Sequence, residues 1–406
     1  MDFSIGSTIK LSDINDFTTA TNICIKPEKL QKSKESIKLD KKFKISLSDC
    51  LSCNGCISSV ETSLISQQDF ESMVDSLQKC RNRKKIMILS YQSLSAVARV
   101  YNMDTKTISK YIADMFYKLA ISLHAAALEF AEKVSKNSPY ICSSCPGIVR
   151  YIENVYPSYV TYLSTVKSPQ QIQSSLLRSC IFKNENLYIA TLMPCHDRKL
   201  ESSQTKFLSN NNSKDIDCVV STSDLLTYIK KTKLSSNVGK IFTPFLQETE
   251  IEPYIGLGSD GFLQHSFVHT EQKFDLNIKY DQIKNGLANL NVKGSKYLYT
   301  YAYGYKNIQY IIQKLKKPKQ NLQYIELMAC DEGCLNGAGQ FTTIQERDNS
   351  LPDMKNEQND TSYNYEKIVN SYEKLKSTVP NKTFKKIVYT NFNSVTVNST
   401  DLTIEW

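Results

Sequence analysis

A chain of 406 residues with 41% hydrophobic residues is long enough for two or three domains with sizeable cores, and it contains no run of about 18 apolar residues to cross a membrane. The formal charge of +9 raises the question of nucleic acid, but eight lysines fall in residues 26 to 44 against Glu28, Glu35 and Asp40, a surplus of five positive charges in one polar stretch. Arginine, the usual reader of guanine edges, occurs only seven times, so the stretch reads as a solvated linker rather than a nucleic-acid surface.

The opening MDFSIGSTIKLSD lacks an apolar core of signal-peptide length, and the expected compartment is the cytoplasm. Thiols stay reduced there, so the twelve cysteines read as metal ligands and small buried residues rather than disulfides. Residues 1 to 79 form a first unit: a polar arm around Cys24, three cysteines in DCLSCNGC, and an amphipathic helix in SQQDFESMVDSLQKC. An α/β domain is expected over residues 80 to 395. KIMILSYQ, PYICSS, NLYIATLM, DCVVST, KYLYTYAY and QYIELMAC are strand-like, and SLSAVARVYNM, residues 107 to 134, SDLLTYIKK and YKNIQYIIQKLKK are helical. This alternation predicts layered α/β structure with largely parallel sheets. Residues 201 to 217 and 349 to 364 are polar and read as surface loops, no repeat of about 20 to 50 residues is present, and residues 396 to 406 form a tail.

Cys50, Cys53 and Cys56 are each separated by two residues. Zinc draws cysteines in separated pairs, whereas Cys-x2-Cys-x2-Cys wraps three thiolates around one face of a cubane. The spacing therefore points to iron-sulfur, with a structural zinc site as the competing reading. Gly55 suits a loop that must admit positive φ. ISSVETS follows Cys56, with no fourth cysteine and proline, so the remaining ligand comes from elsewhere; Cys24 and Cys80 are both candidates on spacing.

A second set lies where strands give way to turns: Cys145 in SSCPGIV, Cys195 in LMPCHDRKLE, and Cys330 and Cys334 in LMACDEGCLNGAGQ. Pro146 fits a first helical position, and a thiol at a helix N-terminus ionises more readily, as a cluster ligand must. The carboxyl ends of neighbouring strands meet at one crevice in α/β sheets, which would bring the four thiolates together. Cys142, Cys180 and Cys218 lack such surroundings and read as core. Cys195 and His196 are adjacent, a poor arrangement for a nucleophile and its base. His124, His265 and His269 read as ordinary helix or loop residues.

CPG, MPCxxRKLE and MACxxGCLNGxGQ, in that order, resemble the cluster signatures of the iron-only hydrogenase family. With DINDFTTATNICIKPEK, ISLSDCLSCNGCISSVET, LSYQSLSAVARVYN, DIDCVVSTSDLL and GLGSDGFLQHSF, the likeness spans most of residues 14 to 340. It is closer to the eukaryotic branch of cytosolic iron-sulfur assembly factors, the nuclear prelamin A recognition factor-like proteins. The resemblance implies a two-lobed domain with parallel sheets beside a small ferredoxin-like unit, and two [4Fe-4S] clusters. Cys24, Cys50, Cys53 and Cys56 would hold the first, and Cys145, Cys195, Cys330 and Cys334 the second, in the crevice between the lobes. The function implied is a non-catalytic carrier that links the upstream scaffold to the targeting complex and serves apo client proteins of cytosol and nucleus. The alternative is an active hydrogenase or another iron-sulfur redox enzyme.

Three positions separate the branches: Ser144 stands where active hydrogenases carry a proton-relay cysteine, Ile148 where tryptophan is usual, and Arg198 where lysine is usual. Serine's proton is far less acidic than a thiol's. Trp406, the only tryptophan, ends the chain in TIEW. Tryptophan is enriched at binding hot spots and a terminal carboxylate can be captured by basic groups. Ile404, Glu405 and Trp406 resemble the tail by which assembly factors and clients dock on the targeting complex.

Overall fold

The computed structural model describes residues 59–80, 82–103, 105, 108, 116–118, 129, 139–207, 214–232, 262–271, 279–291, 297–317, 322–359 and 365–392. In chain order, α1 (Ser59–Ser66) and α2 (Phe70–Lys79) precede β1 (Lys84–Leu89), α3 (Tyr91–Val100) and β2 (Phe116–Lys118). β3 (Tyr140–Cys142), α4 (Pro146–Val155) and α5 (Pro169–Leu176) follow, then β4 (Leu187–Met193), α6 (Asp197–Ser203), β5 (Cys218–Ser221) and α7 (Thr222–Thr232). Next come α8 (Phe262–Glu271), β6 (Lys279–Lys284), β7 (Leu287–Asn291), β8 (Tyr299–Tyr303), α9 (Tyr305–Leu315) and β9 (Tyr324–Met328). α10 (Ile344–Asn359), α11 (Tyr365–Thr378) and α12 (Asn381–Val388) complete the described elements.

The strands form two sheets, ordered β2-β1-β4-β5 and β3-β9-β8-β7-β6. Every pairing in the first sheet is parallel, with Lys84 opposite Leu187 and Ala190 opposite Cys218. Buried on both faces, β4 needs apolar residues throughout, and LYIATLM supplies them around one threonine. Alternation then divides the sheet's side chains. Met87, Leu89, Tyr188, Ala190, Leu192, Cys218 and Val220 pack with Phe70, Met73, Leu77, Val97, Leu225 and Ile229 of the helices α2, α3 and α7. Ile86, Ile88, Leu187, Ile189, Met193 and Val219 join the larger core that contains Ile141, Ile325 and Leu327 of the second sheet. One strand set thus ties both layers together.

In the second sheet β9 pairs parallel with β3 and β8, but β7 runs antiparallel to both β8 and β6. The reversal between β6 and β7 falls at Asn285-Gly286, where Gly286 has φ of +74°. Glycine takes such a positive φ without strain.

Three expectations need correction. Within residues 107 to 134, expected to be helical, Phe116–Lys118 is a strand paired with Met87, Ile88 and Leu89. The side of β1 away from β4 offers backbone partners there, and the sheet ladder overrides the local helical pattern. Residues 349 to 359, taken as loop, lie in α10, which carries Pro352 inside it. Thr343 and Glu346 explain the start: the Glu346 N–H donates to Thr343 Oγ1 at 3.1 Å and the Thr343 N–H to Glu346 Oε2 at 3.2 Å, a reciprocal capping box. Residues 201 to 217 are not simply surface, since Glu201, Ser202, Phe207, Asp215 and Ile216 are buried.

Asp217 fastens the entry edge of the first sheet. Its carboxylate accepts from Arg83 at 2.6 Å, from Arg178 at 2.7 Å and from the Ile189 N–H at 2.8 Å. Replacing Asp217 with Ala leaves two guanidinium groups and one strand amide without that acceptor. The expected loss is about 2 kcal/mol, between surface and buried ion-pair limits, read as a lowered thermal unfolding midpoint.

Candidate metal centre

The β3 strand ends at Cys142, and Ser143 staples its exit to the neighbouring strand. The Ser143 hydroxyl donates to the Leu327 carbonyl at 2.6 Å and accepts from the Cys145 N–H at 3.2 Å. Cys145 then occupies the N-cap of α4, with Pro146 as first helical residue as expected. Burial pushes its thiol up, Asp197 adds to this, and hydrogen bonds from the backbone of Ala329 and Ile148 act the other way. Cys145 is therefore tied to the residue just before Cys330.

Cys195 lies two residues beyond β4, and Cys330 two residues beyond β9. Cys334 sits in a single 3-10 turn, Gly333–Asn336, entered through left-handed Glu332 and Gly333. None of the four is in a disulfide; Cys145, Cys195 and Cys334 are buried and Cys330 is half-buried. Burial pushes Cys195 well up; Asp197, Cys145 and Cys334 add to the shift and Arg198 opposes it. Cys145, Cys195 and Cys334 thus share one electrostatic neighbourhood around Arg198. They reach it from strands of both sheets.

Three glycines let the loops approach. A Cβ on Gly147 would lie 2.7 Å from Asp197 Oδ2, and one on Gly337 would strike the Pro194 carbonyl oxygen. A Cβ on Gly339 would lie 2.8 Å from Ser221 Cβ and 3.2 Å from Cys195 Cα. Gly339 N–H donates to Pro194 O at 2.9 Å, so the loop after Cys334 lies directly on the turn that carries Cys195.

Arg198 is 4% exposed and bonds Glu201 at 3.1 Å. Gln170 Nε2 holds that pair, donating to Glu201 Oε2 at 3.1 Å and to the Arg198 carbonyl at 3.3 Å, while Thr191 Oγ1 donates to Gln170 Oε1 at 3.0 Å. Lys199, 2% exposed, bonds Asp224 at 2.7 Å. Arg198 was singled out in the sequence, but its supports Glu201, Gln170 and Thr191 were not; the signal was RKLE, whose i, i+3 spacing pairs Arg198 with Glu201.

Four thiols at strand ends are the donor type that an iron-sulfur cluster takes. Among the described residues no group of three or more His, Cys, Asp or Glu is placed to hold a single metal ion. Cys24, Cys50, Cys53, Cys56, Ile404, Glu405 and Trp406 lie outside the described residues. Cys80 ends α2 and packs with the helices on the first sheet. Cys142 and Cys218 are core as expected, and Cys180 packs at the core's margin. The His196 imidazole is pushed down to about 4, first by burial and then by Lys199, against the pull of Asp224.

Residues 91–338 match the family model described as iron only hydrogenase large subunit, C-terminal domain. The cytosolic Fe-S cluster assembly factor narfl of Xenopus tropicalis is 29% identical, with 99% of each chain covered. A probable cytosolic Fe-S cluster assembly factor of Anopheles gambiae is 30% identical, covering 83% of this chain and 84% of its own. The structure of an [FeFe]-hydrogenase from Chlamydomonas reinhardtii superposes with a TM-score of 0.66 at 15% identity, covering 80% of this chain and 98% of that one. Changing Gly337 to Ala drives a methyl group into Pro194. The expected result is an overpacking cost of about 2 kcal/mol and loss of bound iron, measured by metal analysis beside far-UV circular dichroism.

Proposed function

The chain belongs to the iron-only hydrogenase-like family, in its branch of cytosolic iron-sulfur assembly factors, and from that membership we propose that it is a non-catalytic carrier of two [4Fe-4S] clusters. Its role is in cytosolic iron-sulfur protein assembly, and it binds iron-sulfur cluster. The finer reading is a link between the scaffold that builds clusters and the targeting complex that delivers them to cytosolic and nuclear clients. The observation that carries it is likeness to assembly factors over nearly the whole chain, joined to three buried cysteines around Arg198 in a hydrogenase-like fold. Among the described residues no helix is long and apolar enough to cross a membrane. The working compartment is the cytoplasm.

Cys145, Cys195, Cys330 and Cys334 would hold one cluster, and Cys24, Cys50, Cys53 and Cys56 the other. A bound cluster supplies one-electron redox capacity. Arg198 places a fixed positive charge beside three of the thiols, where it offsets thiolate charge, and Glu201 with Gln170 keeps it oriented. Ser144, 3% exposed, puts an alcohol where a hydrogenase needs an acidic thiol, which argues against proton turnover. Ile148 fills the core beneath α4.

Anaerobically purified protein is expected to contain about eight irons per chain with matching sulfide. Changing Cys53 to Ala removes one electron paramagnetic resonance signal, and changing Cys330 to Ala removes the other. Stoichiometric zinc without iron, or both signals surviving Cys330→Ala, overturns the assignment.

Ile404, Glu405 and Trp406 would dock on the targeting complex through an aliphatic, an acidic and an aromatic side chain with the terminal carboxylate. Deleting Trp406 is expected to weaken pull-down of that complex at least tenfold, with iron content and both spectra unchanged. Equal pull-down sinks the docking role, and loss of iron would assign Trp406 to the fold instead.

A further inference from the structure

Residues 279 to 321 carry nine lysines against one acid, Asp281, a local surplus almost equal to the net +9 of the whole chain. Several lysines elsewhere meet carboxylates: Lys84 pairs with Glu185, Lys199 with Asp224, Lys206 with Glu153 and Lys231 with Glu71. Among the described residues Lys284, Lys306, Lys314, Lys316 and Lys317 have no such partner.

The fold gathers these charges. Lys306, Tyr310 and Lys314, each four residues from the next, share a face of α9 turned away from the buried Ile308, Ile311 and Ile312. Asn307 Nδ2 donates to the Asn285 carbonyl at 2.8 Å and ties α9 to the turn after β6. Lys284 of β6 and Lys314 of α9 then lie 4.2 Å and 4.8 Å from the centre of the Tyr310 ring, so two like charges converge on one side chain. The helix dipole favours cations at the end of α9, but Lys284 arrives from β6. Asp331 packs against Gly304 at the opposite end of α9. Lys314 lies about 15 Å further along the helix, beyond a screening length of about 10 Å in 0.1 M salt.

Beside this face runs an open edge. β6 is the outermost strand of its sheet among the described strands, and residues 281 to 285 are exposed, Ile283 at 40%. Its ladder to β7 is regular from Lys279 to Gln282 and shifts between Gln282 and Lys284. Lysines and a bulge on an edge discourage pairing with a second copy, which would bring lysines of its own. An acidic strand escapes that repulsion. A strand edge presents donors and acceptors in alternation, which an extended peptide matches and phosphate groups, being acceptors only, do not. We propose that β6 and the lysine face of α9 dock an acidic, extended segment of a partner protein, which adds as a strand along β6, touches Ile283, and lays carboxylates against Lys284, Lys306 and Lys314. The surface uses neither the cysteines nor residues 396 to 406, so its test is independent of the cluster assignment.

The probe is a synthetic peptide alternating glutamate with valine, titrated into the full chain by fluorescence anisotropy, with a glutamine-for-glutamate peptide, a single-stranded DNA oligonucleotide and phosphatidylserine vesicles as comparisons. Expected are saturable binding of one acidic peptide per chain, at least tenfold weaker binding of the glutamine peptide, and slowed amide exchange in residues 279 to 284 when the acidic peptide is bound. The double change Lys284→Glu, Lys314→Glu alters two lysines that have no carboxylate partner among the described residues, so iron content and unfolding midpoint hold while acidic-peptide affinity falls at least tenfold. Lys284→Gln with Lys314→Gln serves as the readout if the charge reversal does not fold. Absence of saturable binding, equal affinity in the folded variants, or amide exchange unchanged in β6 overturns the proposal. DNA or vesicles binding as tightly as the acidic peptide, and weakened by the same variants, overturns it in favour of a phosphate-bearing partner.

Discussion

The loop of residues 337 to 339 lies against the Pro194–Cys195 turn with backbone touching backbone, and this contact joins the ends of two different sheets. The Gly339 N–H bonds Pro194 O, and the Gly339 carbonyl accepts from Ser223 N–H at 2.8 Å. Gln340 extends the seam, bonding Thr222 Oγ1 at 2.7 Å and the Gln92 carbonyl at 2.7 Å. Cys195 and Cys334 hang from the two sides of this seam. Their separation is set by main-chain geometry, which yields far less than a side chain would.

The polar interior follows from the same arrangement. Two consecutive cations on α6 serve different neighbours: Arg198 faces the thiols, while Lys199 turns to Asp224, which also accepts from the Ser221 N–H at 2.8 Å. Burying both is costly unless each meets a carboxylate in good geometry. Each does. Burial pushes the Cys145 and Cys195 thiols up while Arg198 pulls them back, and Arg198 itself is paired with Glu201.

Much of this was legible in the residues. β4 is an apolar run around Thr191 and β9 an apolar run around Glu326, and they lead into MPC and MAC, so their strand type and the position of the cysteines followed directly. The hairpin at Asn285-Gly286 and the cap formed by Thr343 and Glu346 were written there too, in signals only a few residues long. Phe116–Lys118 was different in kind. Nothing local announces a strand in that stretch, and its state depends on β1 offering an edge. The buried glutamine network is similarly nonlocal: Gln170, Thr191 and Glu201 become partners only once α5, β4 and α6 are packed.

The order of the proposed ligands along the chain has a consequence in time. Cys50, Cys53 and Cys56 leave the ribosome almost together, but Cys145 and Cys195 precede Cys330 and Cys334 by more than 130 residues. The first sheet has all four of its strands by Ser221, whereas β9 and the glycine seam arrive much later. A nascent chain can therefore order its first sheet while its crevice still has only two thiols. On the proposed assignment, a cluster on these four cysteines can be completed only once Cys334 has been synthesised.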